Sequence, residues 1–367
     1  MRVNFSYLDR QFSEPDSYFD DLRELVKTGD YTIGQPVADF EQRISSLMQI
    51  PHVVGVNTGT DAIAMALQML GVGSGDEVIT TPNTFIATVG AIVQTGARPV
   101  FVDSNSEMVI DSSKIEAAIT PRTKAIVPVH YTGGMADMPA IMAIAAKHQL
   151  VVVEDACQAI LSTWNGRMAG CWGDAGAVSL HPLKNLNVWG DGGFVVTRST
   201  DLDRDLRLFR NHGMLNRDEI VMFGRNCRMQ TFQAVIASRL LNDLEWITRR
   251  RIEIAQQFDT AFAELASDIE IPFRRPEVRH VFHLYELRVQ QRDALLGFLQ
   301  EHGVDAKIHY PIPIHLQKAA ADLGYKEGDF PQAETHGRTA ISLPLHQHLL
   351  DEEIEYTIQQ VRAFYGK

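Results

Sequence analysis

Cysteine is scarce in this chain, and its three copies, Cys157, Cys171 and Cys227, lie far apart. That spacing and the odd number argue against a disulfide framework and against a zinc site, so a reducing compartment and no metal are expected. Clustered basic charge is missing too: the formal net charge is -12, and the one basic run is Arg249-Arg250-Arg251. Binding nucleic acid without sequence preference needs grouped Lys and Arg, so no nucleic-acid partner is expected and that run reads as a solvated helix face. No stretch has the length of a membrane span, and the opening Met-Arg-Val-Asn-Phe-Ser-Tyr-Leu-Asp-Arg is too charged for the apolar core of a signal peptide. The expectation is a cytoplasmic protein with no membrane partner. Internal repeats, low-complexity tracts and long linkers are absent as well.

What is present suits an ordinary globular chain: 367 residues, 45% hydrophobic and 22% charged, enough for a large domain and a smaller one. Short apolar runs recur at Val53–Val56, Glu77–Thr80, Pro99–Val102, Lys124–Val129, Leu150–Glu154, Ala175–Leu180 and Gly193–Thr197, with helical segments between them. Alternating strands and helices predict an α/β fold around a largely parallel sheet. One long amphipathic helix is expected over Leu240–Ile254, bridging a large domain (1–245) to a smaller C-terminal α/β domain (246–367). The second domain should hold a strand at Val281–Val289, a helix at Arg292–His302 stopped by Gly303, a strand at Asp305–His309 and a terminal helix at Glu352–Phe364. The Pro-rich Tyr310–His315 reads as a rigid turn.

Three stations at strand exits could carry chemistry. Lys184, in Ser179-Leu180-His181-Pro182-Leu183-Lys184, follows a buried strand. It must either snorkel its ammonium to water or be held partly desolvated, with a lowered pKa, for work such as Schiff-base formation. Asn57-Thr58-Gly59-Thr60-Asp61 opens the helix Ala62–Leu70; it is either a plain N-cap or an anion site at a helix N-terminus. Asp155, at the end of Val151-Val152-Val153-Glu154-Asp155, is either a capping residue or a buried carboxylate facing a cation. Phe85 offers a flat face, although an isolated aromatic is more often core. Gly71-Val72-Gly73-Ser74-Gly75 precedes a strand instead of following one and is discounted as a dinucleotide fingerprint. Together, anion cradle, strand-end acid and strand-end amine are what pyridoxal 5'-phosphate needs.

Four segments, Gly55 to Ala62, Glu154 to Ala159, Lys184-Asn185-Leu186 with Gly190 to Gly193, and Arg225 to Met229, resemble those of the DegT/DnrJ/EryC1/StrS sugar aminotransferases, in order over nearly the whole chain. The resemblance implies the aspartate-aminotransferase fold (fold type I), pyridoxal phosphate as cofactor, glutamate as amino donor, and a homodimer with shared active sites. By position it makes Lys184 the Schiff-base lysine and proton shuttle, and Asp155 the partner of the ring nitrogen. Gln158 would meet the ring hydroxyl, Phe85 would stack, and Gly59, Thr60 and Ser179, with Asp61 beside them, would hold the phosphate. Asn226 would reach that phosphate from the partner subunit. His309, Tyr310 and Arg228 become candidate sugar contacts, against the alternative that His309 is a satisfied strand-end histidine.

His309-Tyr310-Pro311-Ile312-Pro313-Ile314-His315, and Gln158 where many relatives have histidine, resemble members acting on 3-keto sugars. The variants His181-Pro182-Leu183, Asn187-Val188-Trp189 and Val129-His130-Tyr131-Thr132 resemble members acting on 3-oxo-glucose 6-phosphate, so the acceptor is expected as a sugar phosphate or a nucleotide sugar. A 4-keto nucleotide sugar is the alternative acceptor. Dehydratases on this fold carry histidine in place of the lysine, and Lys184 argues against that reading. A noncatalytic ligand-binding regulator is the rival from another class; Lys184 together with Asp155 opposes it.

Overall fold

The computed structural model describes residues 1–367. Its strands are, in chain order, β1 (His52–Val56), β2 (Glu77–Thr80), β3 (Arg98–Phe101), β4 (Thr123–Ile126), β5 (Val151–Asp155), β6 (Thr163–Trp164) and β7 (Arg167–Met168). There follow β8 (Ala175–Ser179), β9 (Gly193–Thr197), β10 (Ile269–Glu270), β11 (Val278–Arg279), β12 (Tyr285–Val289) and β13 (Ala340–Leu343). The main sheet has the order β1-β9-β8-β5-β4-β2-β3, and β9 alone runs antiparallel to its neighbours. Its other six strands therefore end on one edge, which places their exit loops side by side. A second sheet, β10-β12-β13, is antiparallel, and β11-β6-β7 form a small third one.

Successive strand residues belong to different apolar clusters. Val53, Ile79, Ile126, Val152 and Val178 pack on one face of the main sheet, and Val54, Val78, Ala125, Val153 and Ala177 on the other. Both faces are buried, which is why these strands read as continuous apolar runs and not as alternating ones. A third cluster draws on residues from Ile254 to Val361 and on Val3. Val3 reaches it by pairing beside Val304, donating to Gly303 O at 2.8 Å and accepting from Asp305 N at 2.9 Å.

Four expectations need correction. The expected helix Leu240–Ile254 is two helices, Thr231–Leu240 and Leu244–Phe262. They break at Asn242-Asp243, residues whose short polar side chains compete with helical hydrogen bonds. Arg251 is not on a solvated face but 1% exposed. It continues the stripe Leu244, Ile247, Thr248, Ile254, Ala255 and Phe258 at helical spacing, which leaves it inside. Its guanidinium donates to Gln347 Oε1 (3.1 Å) and to the carbonyls of Phe282 (3.0 Å), His283 (3.3 Å) and Leu345 (3.2 Å).

The expected strand Val281–Val289 begins only at Tyr285. Before it, the amides of Val281 and Leu284 are taken by Gly133 O and Thr132 O, and Phe282 has φ 49°, which breaks extension. The expected strand Asp305–His309 is reduced to isolated bridges, Val304 to Val3 and Lys307 to Ser342. It stops there because Tyr310 takes φ 55°, outside the extended region.

Candidate active site

Thr58 ends the loop after β1 and caps the helix Gly59–Met69, its Oγ accepting from Asp61 N at 2.9 Å. The amide of Ala62 is used by Thr58 O at 3.0 Å, so those of Gly59 and Thr60 remain for a ligand at the positive end of the helix. Two glycines allow this helix end to sit so low on the sheet. A Cβ on Gly59 would lie 2.7 Å from Ser179 Cβ and 2.8 Å from Cys157 Sγ, and one on Gly193 would lie 2.7 Å from the carbonyl carbon of Thr58. The run Gly190-Asp191-Gly192-Gly193 thus has a steric reason at its last residue.

β5 and β8 are parallel neighbours, with Asp155 opposite Ala177. Asp155 is 6% exposed. Its Oδ2 accepts from Thr88 Oγ at 2.6 Å and its Oδ1 from Cys157 N at 3.1 Å, while the hydroxyls of Thr84 and Thr88 are 2.8 Å apart. Lys184 lies on a turn closed by its own amide on His181 O at 2.8 Å. The turn is pinned from outside: Tyr7 Oη and Asn187 Nδ2 both donate to Lys184 O, at 3.1 and 2.9 Å. Removal from water lowers the pKa of the Lys184 amine, and this outweighs the opposing pull of Cys157 and Asp155. A partly desolvated amine on the same cleft as a buried carboxylate can serve as a nucleophile, unlike a snorkelling surface lysine.

These groups share one cleft of about 510 Å³. Gly59, Thr60, Phe85, Asp155, Gln158, Ser179, Lys184, His309 and Tyr310 all line it, so most of the candidate residues come together from five segments of chain. Phe85 is 51% exposed and its ring lies 5.8 Å from that of Tyr310. Gln158 Oε1 accepts from Thr132 N at 2.8 Å, and its Nε2 approaches Tyr310 Oη at 3.4 Å. Burial pushes the Tyr310 phenol well up and His309 down to about 4.

Three candidates do not line the cleft. The Asp61 carboxylate accepts from Thr58 Oγ at 3.1 Å, so Asp61 serves the cap. Asn226 pairs with Asn211, and Arg228 pairs with Val56 while its Nε donates to Asn211 Oδ1 at 2.9 Å. Sequence reasoning missed Thr88, Cys157, His181, Asp191 and His283, all on the cleft wall. Cys157, His181 and Asp191 lie within the quoted segments but were given no role, and Thr88 carried a signal of its own, the i, i+4 spacing from Thr84 at the start of a helix that follows a strand.

Residues 14–362 match the model of the DegT/DnrJ/EryC1/StrS aminotransferase family. The chain belongs to this family. It is 41% identical over 346 residues to a pleiotropic regulatory protein of Geobacillus stearothermophilus, covering 94% of this chain and 93% of that one. It is 37% identical over 344 residues to the dTDP-3-amino-3,4,6-trideoxy-alpha-D-glucose transaminase of Streptomyces venezuelae, covering 94% and 90%. Among solved structures, S. venezuelae DesV in complex with a ketimine intermediate superposes with TM-score 0.97 at 36% identity, over 100% of this chain and 99% of that one.

The expected aspartate-aminotransferase-like fold is therefore the fold of this aminotransferase. The family is dependent on pyridoxal phosphate, and the cleft fits that group. It offers an amine of lowered basicity, a buried acid held by two donors, and free helix-end amides over a glycine that admits no Cβ.

Proposed function

We propose that this aminotransferase moves an amino group from glutamate to a keto sugar, at C3 of a 3-keto hexose carried as a nucleotide sugar or sugar phosphate. The observation that carries the reading is Lys184 and Asp155 on the wall of one cleft, the first desolvated and the second buried on two donors. The S. venezuelae relative, named for a 3-amino sugar, supports the acceptor class. When bound, pyridoxal phosphate supplies an electron sink for the pair left behind as a proton leaves carbon. Lys184 Nζ holds the cofactor, then takes that proton and returns it, a task suited to an amine of lowered pKa. Asp155, oriented by Thr88 and Cys157, holds the ring nitrogen; Gln158 holds the ring hydroxyl and Phe85 covers the ring. Gly59, Thr60 and Ser179 hold the phosphate. His309 and Tyr310 meet the sugar.

Asn226 and Arg228 we assign to the cleft of a partner subunit. Both lie at the base of an arm from Asn211 to Asn226 that exposes Leu215 (58%), Ile220 (62%), Val221 (49%) and Phe223 (101%). Apolar side chains left bare on a projecting arm call for a second copy of the chain. The division into 1–245 and 246–367 remains our reading of the domains, with Val3 attached to the second. No helix is long and apolar enough to cross a membrane, and we place the enzyme in the cytoplasm, where amino-sugar precursors are made.

The test is an absorption spectrum of the cofactor-loaded protein during glutamate addition, then single-turnover amination with a dTDP-linked 3-keto hexose beside 3-oxo-glucose 6-phosphate. Bleaching by glutamate and turnover of either sugar is expected, and Lys184→Ala should abolish both. The Geobacillus relative is named a regulatory protein, and a regulator that binds a ligand without turnover is the second reading. A spectrum that glutamate leaves unchanged would sink our reading and leave that one standing.

A further inference from the structure

Behind His309 lies a buried polar chain that the reaction outlined above does not use. Glu286 on β12 and Ser342 on β13 are directly opposed across the second sheet, so their side chains share a face. Lys307 pairs with Ser342 on its other side, through Ser342 N to Lys307 O at 2.8 Å and Lys307 N to Ser342 O at 3.0 Å. Two residues further on, His309 reaches the same serine: His309 Nδ1 and Ser342 Oγ are 2.7 Å apart. Ser342 Oγ donates to Glu286 Oε1 at 2.9 Å, and Tyr131 Oη donates to that oxygen at 3.1 Å. Glu286 is 3% exposed and Ser342 0%.

The direction of this chain is fixed by counting protons. A serine hydroxyl has one, and Ser342 gives it to Glu286, which leaves the serine oxygen only as an acceptor toward His309. Nδ1 must then carry the imidazole proton. We propose that Glu286 and Ser342 are positioning residues that set the tautomer of His309, so that it presents a bare Nε2, a hydrogen-bond acceptor, to the cleft. Such an acceptor takes a hydroxyl or amino group of the substrate and turns away a carbonyl or phosphate oxygen. His309 therefore marks the place of a sugar hydroxyl or amino group, not of the ketone or the phosphate.

The arrangement persists across neutral pH. Burial, with Lys184 and Lys307 nearby, holds His309 down at about 4, so its ring stays neutral. Burial pushes Glu286 up to about 7. Its other oxygen, Oε2, is buried without a partner and can take a proton while Oε1 still accepts from both hydroxyls. The substrate half of this inference rests on the reading of His309 as a sugar contact; the tautomer does not.

Nitrogen-15 spectra of the cofactor-loaded protein labelled on histidine rings test it, with the His309 signals assigned by their loss in His309→Asn. The expected wild-type signature is a protonated Nδ1 and a bare Nε2. Ser342→Ala and Glu286→Met should move the proton to Nε2, because the first removes the acceptor and the second frees the serine proton for Nδ1. Ser342→Thr and Glu286→Gln, which keep a hydroxyl and an acceptor oxygen, should restore the wild-type pattern. In the two disruptive variants KM for a turned-over keto sugar should rise about tenfold, for one weakened hydrogen bond, while the rate of bleaching by glutamate holds. A protonated Nε2 in the wild-type protein would overturn the proposal even if the enzyme transaminates. Absence of glutamate bleaching would instead strike the reading of its function.

Discussion

Replacing Gly59 by alanine tests the way the helix end is seated over the sheet. The new Cβ would stand 2.7 Å from Ser179 Cβ and 2.8 Å from Cys157 Sγ, whereas carbon atoms rest at about 3.5–4.0 Å. Roughly 1 Å must be found, and Ser179 Cβ cannot yield it by rotating because it is attached directly to the strand. The helix N-terminus must lift. Overpacking of this kind costs about 1–3 kcal/mol of stability. In the site we propose, lifting also draws the amides of Gly59 and Thr60 away from the phosphate that Ser179 would share with them. Loss of one hydrogen bond to a charged group costs about 1.5–3 kcal/mol, or a weakening of cofactor binding by about 10- to 150-fold. Equilibrium titration of the apoprotein with pyridoxal phosphate, followed by its absorption, measures this beside urea unfolding. Gly297→Ala is the control: within the helix Arg292–Glu301, an added Cβ meets nothing within 4 Å and should raise stability by about 0.5–1 kcal/mol. If Gly59→Ala bound the cofactor within twofold of the parent, the phosphate would not lie at this helix end.

Asp155→Asn should leave the fold intact and slow bleaching by glutamate about 10²- to 10³-fold, since it replaces the charge we assign to the ring nitrogen; an unchanged stopped-flow rate would remove Asp155 from that role. Thr88→Val, which deletes one of the two donors to the Asp155 carboxylate, should cost about tenfold in the same assay. His336 is 1% exposed, and burial beside Arg288 holds it down at about 3, below its ordinary 6.5. The unfolded chain therefore takes up this proton first, so stability falls with acidification from pH 6.5 toward 3, by about 2 kcal/mol at pH 5. Urea midpoints at pH 7 and 5 should converge in His336→Gln by that amount, and an unaltered pH slope would refute the assignment. Phe223→Glu on the exposed arm should convert a species with the mass of two chains into one of a single chain by light scattering; a mass of one chain in the parent would refute the dimer.

The sequence by itself determined the main sheet and most of the cleft. Strands buried on both faces read as unbroken apolar runs, and in a parallel sheet the residues just past those runs must share one edge. That is why Lys184, Asp155 and Gly59 were legible without coordinates, and why chemistry at one strand exit predicted chemistry at its neighbours. The second sheet was less legible. Val281 to Leu284 and Asp305 to His309 have strand-like composition, but their amides are claimed by the Thr132-Gly133 turn, by Val3 and by Ser342. Residues distant along the chain leave no local mark of such competition. Arg251 shows the opposite case: its place on the buried stripe was written in the helical spacing, and its charge hid it. Only the tertiary structure decided the supporting contacts, Thr88 on Asp155, Tyr7 under Lys184, and Glu286 and Ser342 behind His309. A hydrogen-bond partner is chosen by distance in space, and no periodicity along the chain encodes which distant side chain will supply it.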